Sequence, residues 1–465
     1  MRERPDLSKL SSDEKDMLIV TLLERIEELE RRLGLNSTNS GKPPASDGLK
    51  KPGRVTNLRE KTGRQAGGQR GHEGTTLRQV ATPDKVIEHF PPICGGCGNG
   101  LSPAHATGHQ KRQVFDLPQP VVEVTEHRAH SCWCPRCGSE TQAAFPADVT
   151  AATQYGRTVG ALVVYLQAWQ LLPEDRLAEV MRDVFGVEVA TATIAAMGQR
   201  KAQEFAGLAE QIEQQVKDVA VKHVDETGYR IAGRLQWLHV ASTWLLTCYR
   251  PAAKRGAMWA GMRGLILHDF WRPYFTMVGV THALCNAHHL RELKALIEIE
   301  KEPWARVLHR FLQQACHAAN LARVQQRSLR PQFLAWLSAR YDRILAQGFA
   351  FHESLPPLGA GQPTRRGRIR RRTGHNLLLR LREHKAATLR FLYDPSVPFT
   401  NNQAERDLRM MKVRQKISGG FRSESGAQTF TTLRTVLSTA RKQGWNVLAT
   451  LTTPQAILIQ NLRTA

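Results

Sequence analysis

The run Lys217-Asp-Val-Ala-Val-Lys-His-Val-Asp225-Glu-Thr-Gly-Tyr229 decides the fold. Its apolar and polar residues alternate with the period of a half-buried strand, so a strand is expected over Val219–Asp225, with Asp225 at its end. Leu235–Ala241, Trp244–Tyr249, Leu265–Asp269 and Thr276–Val280 read as further strands. The early ones have hairpin spacing and a later one follows a crossover, which suits a mixed sheet. Asp269 closes the short apolar run from Gly264 as Asp225 closes its own. Strand ends that deliver acidic residues do chemistry where they converge. Hard divalent cations such as Mg²⁺ take carboxylate oxygens. Two such ions about 4 Å apart stabilise both the attacking and the leaving oxygen of an in-line phosphoryl displacement.

A third carboxylate comes from Thr400-Asn-Asn-Gln-Ala-Glu-Arg-Asp-Leu-Arg-Met-Met-Lys-Val-Arg-Gln-Lys-Ile-Ser-Gly-Gly-Phe421. This reads as a helix beginning after Pro398 and stopping at Gly419-Gly420. Glu405, Arg409 and Lys412 stand at i, i+4 and i+7, so one face carries a carboxylate followed by two cations. That face suits a metal ion beside a phosphate backbone. Asn402-x-x-Glu405 equally fits a capping box that starts the helix. Glu226 should point to the strand face opposite Asp225, and Asp407 well away from Glu405.

The order Asp225, Asp269, Glu405 resembles the Asp-Asp-Glu triad of transposases with a ribonuclease-H-like fold. More narrowly, His223-Val-Asp-Glu-Thr-Gly228, His282-Ala-Leu-Cys-Asn-Ala-His288 and Pro398-Phe-Thr-Asn-Asn-Gln-Ala-Glu-Arg-Asp-Leu-Arg409 resemble the transposase of the insertion-sequence-66 family. The likeness continues through Lys416-Ile-Ser-Gly-Gly-Phe-Arg422 and Ser438-Thr-Ala-Arg-Lys-Gln-Gly444, and covers nearly the whole chain. Glu405 and Lys412 also fit the Glu-x6-Lys spacing of the wider superfamily. The resemblance implies two catalytic Mg²⁺ ions on Asp225, Asp269 and Glu405. It implies cleavage at the element's ends to free a 3′-hydroxyl, which then attacks target DNA. Arg409, Lys412 and Arg414 would clamp the backbone, with the lysine expected to touch DNA. A homo-oligomer, at least a dimer, and companion proteins of the same element are implied as partners. Two other readings stand beside this one: a degenerate or repurposed DNA-binding protein without catalysis, and a metal-dependent nuclease that cuts without joining.

Composition agrees with a polyanionic partner. The 465 residues hold 65 Lys plus Arg against 42 Asp plus Glu, a formal charge of +23. Nucleic acid is the usual partner of such an excess, although charge alone does not exclude membrane surfaces. No apolar run approaches the roughly 20 residues that span a bilayer. The start, Met1-Arg-Glu-Arg-Pro-Asp, has no signal-peptide core, so a cytoplasmic protein is expected, and the resemblance implies a bacterial, nucleoid-associated one. The eight cysteines then read as ligands or core residues.

The expected fold class is α+β multidomain. Residues 1–36 form a coiled-coil helix: Ile19, Ile26 and Leu33 take one heptad position, and Leu22 and Leu29 the other. An amphipathic helix packed on its own protein is the alternative. Residues 37–80 are a basic linker, with Arg64 and Arg70 in a Gly-rich arm that could lie along DNA. Residues 81–148 hold Cys94-Gly-Gly-Cys97 and, after about 36 residues, Cys134-Pro-Arg-Cys137. Paired Cys-x-x-Cys knuckles complete a tetrahedral structural Zn²⁺ site in a zinc-ribbon-like module. Cys132 is a spare.

Residues 149–215 form a helical, candidate DNA-binding domain. The stretches 172–186 and 187–197 have helix-turn-helix spacing, or form a plain helical hairpin. Residues 216–440 form a ribonuclease-H-like catalytic domain with a helical insertion at about 283–395, and residues 441–465 form a C-terminal tail. Near the insertion's end Arg365-Arg-Gly-Arg368-Ile-Arg370-Arg371-Arg372 packs six arginines into eight positions, which favours phosphate tracking. His282-x2-Cys285-x2-His288-His289 reads as an active-site wall in preference to a second zinc site, because no fourth ligand is evident.

Overall fold

The computed structural model describes residues 10–36, 38–40, 77–116, 122–256, 259–356, 358 and 371–463. The first helix, α1 (Ser12–Gly34), opens with a capping box. Ser11 Oγ accepts from Glu14 N (3.3 Å) and Glu14 Oε2 accepts from Ser11 N (2.8 Å). Its heptad stripe, Ile19, Leu22, Ile26, Leu29 and Leu33, stays exposed among the described residues. Its C-terminal end docks, with Gly34 close against Ile299, and just beyond it Lys294 Nζ donates to Thr38 Oγ1 and Asn39 Nδ2 to Glu298 Oε2.

A small antiparallel pair, β1 (Ser131–Trp133) and β2 (Glu140–Gln142), flanks the second cysteine knuckle. No described residue from 77 to 150 is buried. This zinc-ribbon-like part therefore has no apolar core of its own.

Four helices follow: α2 (Arg157–Val164), α3 (Glu174–Phe185), α4 (Thr191–Glu204) and α5 (Ala206–Asp218). Gly186 ends α3 at φ 66°, a left-handed position that glycine takes without strain. Leu177, Met181, Val189, Ile194 and Met197, the apolar face of the expected helix-turn-helix, are buried in a cluster shared with Val224 and Ile266 of the sheet and with Leu433 and Leu437. Residues 157–218 thus pack into the sheet's own core. Val447, Leu451 and Leu458 join the same cluster, which ties the C-terminal helices to it.

The central sheet is five-stranded: β3 (Val221–Ile231), β4 (Arg234–Ser242), β5 (Thr247–Ala252), β6 (Gly264–His268) and β7 (Val280–Leu284). Their order is β5-β4-β3-β6-β7. The first three strands are antiparallel, while β6 and β7 run parallel to β3. This mixed α/β core is consistent with a ribonuclease-H-like fold. Three expected positions shift. The strand expected at Trp244–Tyr249 runs over Thr247–Ala252. β3 runs on past Asp225, which lies mid-strand because Glu226-Thr-Gly-Tyr keeps pairing with β4. The strand expected at Thr276–Val280 starts at Val280. Arg272–Thr276 instead forms a 3₁₀ turn, with Pro273 in its first turn, where the missing N–H costs nothing.

The chain between β7 and the last sheet-covering helices is helical: α6 (Asn286–Ala295), α7 (Pro303–Val324), α8 (Pro331–Glu353), α9 (Thr373–Glu383), α10 (Lys385–Thr388) and α11 (Arg390–Tyr393). Their core, which includes Leu308, Phe311, Tyr341 and Leu378, reaches Leu265 and Leu267 on one sheet face. On that face α12 (Asn402–Ser418) sets Leu408 and Met411 against Tyr229, Leu238 and Val240. The chain ends in α13 (Glu424–Gln443), α14 (Val447–Thr450) and α15 (Gln455–Gln460). No helix among the described residues is long and apolar enough to cross a membrane.

Candidate active site

Parallel pairing of β3 with β6 sets His223 opposite Leu267. Two residues further along each chain stand Asp225, midway along β3, and Asp269, one residue past the end of β6, so neighbouring strands carry the two carboxylates at the same level. Tyr229 and Ile231 share the strand face of Asp225 and lie under α12. Asp225 Oδ1 accepts from Glu226 N and Asp269 Oδ1 from Trp271 N, both at 2.9 Å.

Glu226 takes the opposite face, as strand alternation requires. Its side chain is 1% exposed and pairs with Arg255 Nη2 at 2.7 Å and Nε at 2.8 Å. It also accepts from the Tyr274 hydroxyl. Arg255 lies over Trp271 (4.2 Å) and Trp237 (5.1 Å), whose ring faces attract the guanidinium beside the carboxylate.

Glu405 comes from the first turn of α12. The N-cap is Asn401, and no side chain caps the helix, so the capping box expected for Asn402 and Glu405 does not form. Asn401 turns to the sheet instead. Its Oδ1 accepts from His223 Nδ1 (2.9 Å) and its Nδ2 donates to the Val224 carbonyl (2.8 Å). Burial holds His223 neutral by lowering its pKa to about 4. Glu405 Oε1 has no hydrogen-bond partner, and its nearest cation, Arg291 Nη2, stands at 3.9 Å.

The charges feel one another. Burial first, then the negative charges of Glu226, Asp269 and Glu405, raise the Asp225 carboxyl well above its ordinary range. Burial and Glu226 push Asp269 up to about 6, against the Trp271 N–H and Arg255. Burial lowers Lys412, while the attraction of Asp225 works the other way. The Asp225, Asp269 and Glu405 oxygens are not drawn within 4.8 Å as a set; Glu405 forms such a group with Cys285 and His288 instead.

Arg409 and Lys412 are exposed on α12, and Lys412 Nζ approaches the Gly228 carbonyl at 3.4 Å. Arg414 differs from them. Its guanidinium sits 3.7 Å from the Phe421 ring centroid and 5.2 Å from that of Phe430, where burial lowers its pKa to about 10. At the start of α9, Arg372 Nη1 donates to the Pro356 carbonyl and the Arg371 carbonyl accepts from Asn376. Arg64, Arg70, Arg368 and Arg370 lie outside the described residues.

The two cysteine knuckles are built alike. Cys94 N donates to Asn99 O and Gly98 N to Cys94 O, while Cys134 N donates to Ser139 O and Gly138 N to Cys134 O, all at 2.8–2.9 Å. Gly98 and Gly138 stand at φ 74° and 71°, which lets each turn close behind its second cysteine. Hydrogen bonds from backbone amides and from the paired cysteine lower the Cys94 thiol. Ser139 and then Cys134 lower that of Cys137. Such turns suit a structural Zn²⁺ site in this cysteine-rich module, and the thiols of Cys94, Cys97, Cys134 and Cys137 do not stand within 4.8 Å of one another as a set.

Residues 91–138 match the zinc-finger binding domain of transposase IS66, and residues 152–429, more than half of the chain, match the Transposase IS66 family. The chain belongs to the Transposase IS66 family. A third match, over residues 2–78, is to a family of unknown function. No curated protein matches the chain. The IS66 match spans α2 to α12, so it contains Asp225, Asp269 and Glu405 together with the helices beneath the sheet.

The histidine-rich stretch before the insertion does not act as one group in this IS66 chain. His282 Nδ1 pairs with His268 Nε2 at 3.1 Å, and His289 Nδ1 with Asn286 Oδ1 at 3.1 Å. Cys285 and His288 face Glu405. Asn401, Arg291 and Arg255 carry much of the site's geometry and were not singled out from sequence. Asn401 lies within a stretch that the family resemblance covers, whereas the other two offered no signal.

Proposed function

We propose that this chain is a metal-dependent Asp-Asp-Glu DNA transposase that binds insertion-sequence ends, cuts one strand and transfers the freed 3′-hydroxyl to target DNA. The observation that carries this reading is the electrostatic convergence on Asp225. The charges of Asp269, on the neighbouring strand, and Glu405, on the covering helix, both raise its carboxyl. Buried like charges of this kind call for a proton or a cation. Asp225, Asp269 and Glu405 together offer an all-oxygen donor set, and Glu405 Oε1 has no competing hydrogen bond. That fits Mg²⁺.

Asp225, Asp269 and Glu405 would hold two Mg²⁺ ions. When bound, such a pair stabilises the attacking and leaving oxygens of an in-line displacement at phosphorus. The chain's own groups do the rest. Asn401 sets the start of α12 against the strand carrying Asp225. Lys412, drawn toward Asp225, and the exposed Arg409 receive the phosphate backbone. Arg414, stacked on Phe421, stiffens the end of that helix and adds its charge from one side. Arg371 and Arg372, with Arg64, Arg70, Arg368 and Arg370, extend the basic track for element ends and target. No protein nucleophile is needed. Zn²⁺ on the four knuckle cysteines shapes an end-binding module, and the exposed stripe of α1 joins copies into a dimer or larger homo-oligomer. Such work places the protein at the nucleoid, with companion proteins of the element as further partners.

The test is Mg²⁺-dependent cleavage and joining of labelled DNA carrying the element's end, for the wild type, Asp269→Ala and Glu405→Ala. The expected result is nicked and joined products that both variants lose while still binding DNA. Nicking without joining would instead assign a nuclease. Binding without chemistry, even with the companion proteins added, would assign a repurposed DNA-binding protein. Full activity in Glu405→Ala would remove that residue from the reaction.

A further inference from the structure

The N-termini of two helices meet beside Glu405. Cys285 is the N-cap of α6 and His288 lies in its first turn, so their spacing puts both on one side of the helix start. Glu405 lies in the first turn of α12, whose N-cap residue Asn401 donates its backbone N–H to Cys285 Sγ at 3.1 Å. The thiol sulfur, a ring nitrogen of His288 and a carboxylate oxygen of Glu405 all lie within 4.8 Å of one another. Among the described residues this is the one group of metal-type donors so arranged.

A second observation points the same way. His288 Nδ1 and Glu405 Oε1 are both buried and both lack a hydrogen-bond partner. Buried orphans are costly and uncommon in folded proteins, and here His288 and Glu405, two members of this group, carry one each. A proton shared between histidine and glutamate would satisfy those two but would not draw in the thiol, which accepts only the Asn401 and Ala287 N–H groups. A cation satisfies all three. The donor set selects its type, since thiolate with imidazole suits Zn²⁺ and its neighbours, while Mg²⁺ avoids sulfur. Burial and the charge of Glu405 push the Cys285 thiol up to about 12, so metal binding must expel that proton to solvent, a loss that the partial positive charge of two helix N-termini offsets in part.

We propose that Cys285, His288 and Glu405 form a soft-metal site that takes Zn²⁺, with water as the fourth ligand, and that its occupancy competes with the use of Glu405 beside Asp225 and Asp269. The competition rests on the proposed function; the metal site itself does not. Glu405 is the shared residue. Arg291, at 3.9 Å from its Oε1, is the cation that zinc would displace.

The full chain, first given one equivalent of Zn²⁺ for its cysteine knuckles, is titrated with Co²⁺ in Mg²⁺-free buffer. The expected result is one further equivalent bound, with thiolate-to-cobalt charge-transfer absorption. That absorption is lost in Cys285→Ala, and binding weakens at least tenfold in His288→Ala and in Glu405→Gln. Asp269→Asn keeps it. Circular dichroism checks each variant's fold, and His288→Ala carries the test if Cys285→Ala does not fold. Absence of a second equivalent overturns the site, as does an unchanged absorption in Cys285→Ala or in a folded His288→Ala. Loss of Mg²⁺-dependent cleavage everywhere, with the cobalt site intact, would remove the proposed function and leave this site standing. Cleavage that is indifferent to saturating Zn²⁺ in the wild type would overturn the competition.

Discussion

Asn401 donates its side-chain N–H to the carbonyl of Val224 at 2.8 Å, joining the residue before α12 to the residue before Asp225. The same side chain takes the Nδ1 proton of His223 at 2.9 Å, so one buried amide spans two consecutive strand residues. It sits where a helix cap would normally turn back on its own helix.

Replacing this amide tests its role. Asn401→Ala strands the Val224 carbonyl and the His223 ring N–H in a buried setting, which costs about 1–3 kcal/mol for each group left unpaired. Urea unfolding reads that loss. Cleavage activity should fall further than stability explains, because the start of α12 loosens relative to Asp225. Equal stability in wild type and variant would show that the tie contributes nothing.

The acidic pair gives stability a pH dependence of unusual sign. Asp269 titrates at about 6 in the folded chain, above its ordinary 3.8, and Asp225 moves the same way. A raised carboxyl binds its proton more tightly when folded. Its stabilising contribution is full below pH 3.8 and fades as pH climbs through about 6. In metal-free buffer, Asp269→Asn should therefore be more stable than wild type at pH 7–8, by about 1–3 kcal/mol, and lose that advantage near pH 4. Parallel urea curves from pH 4 to 8 measure the difference, and a constant gap would refute it. Millimolar Mg²⁺ should raise the melting temperature of the wild type above pH 7, and that of the variant much less.

Glu226 is buried opposite the acidic pair and depends on Arg255. Removing one partner of a buried ion pair costs about 3–5 kcal/mol, because the remaining charge is left uncompensated. Arg255→Ala should approach that range in denaturant unfolding. Glu226→Gln, which keeps an acceptor for Tyr274, should cost less. The reverse order would mean that the pair is held by its surroundings and not by its charge.

Chelation should separate the molecule into a part that yields and a part that does not. No described residue from 77 to 150 is buried, so metal supplies the folding energy there. A strong chelator should expose residues near 91–138 to protease while the fragment beginning near residue 150 survives. Mass spectrometry of the digest decides this. Survival of the knuckles without metal would show that the turns suffice.

The sheet and the candidate acids were legible because their signals are local. Alternation around His223–Asp225 and the apolar run before Asp269 mark strands without help from distant residues. Glu405 was placed by helical spacing, and its helix begins and ends where Pro398 and Gly419 suggested. Local signals fail where distant packing decides. The capping box at Asn402 gave way because a buried strand offered Asn401 better partners. The helix-turn-helix spacing could not reveal that Leu177 and Ile194 complete the core of a sheet far along the chain. Nothing in the spacing of Cys285 and His288 announces Glu405, which joins them only after the whole insertion has folded between.

The far end of α12 is pinned as firmly as its start. Phe421 N donates to the Arg230 carbonyl and Ala232 N to that of Phe421, both at 2.8 Å. A Cβ on Gly420 would stand 2.5 Å from the Arg230 oxygen, so only glycine lets the chain close in there. The helix is thus strapped along a single strand from Val224 to Ala232. Of the 405 − 269 − 1 = 135 residues between Asp269 and Glu405, Asn401 is one of these ties, whereas the helices α7 to α9 can lengthen, shorten or repack without changing the distance from Asp225 to Glu405. That distance is gauged by the strand, and the insertion is free to diverge as an ornament hung between two fixed hooks.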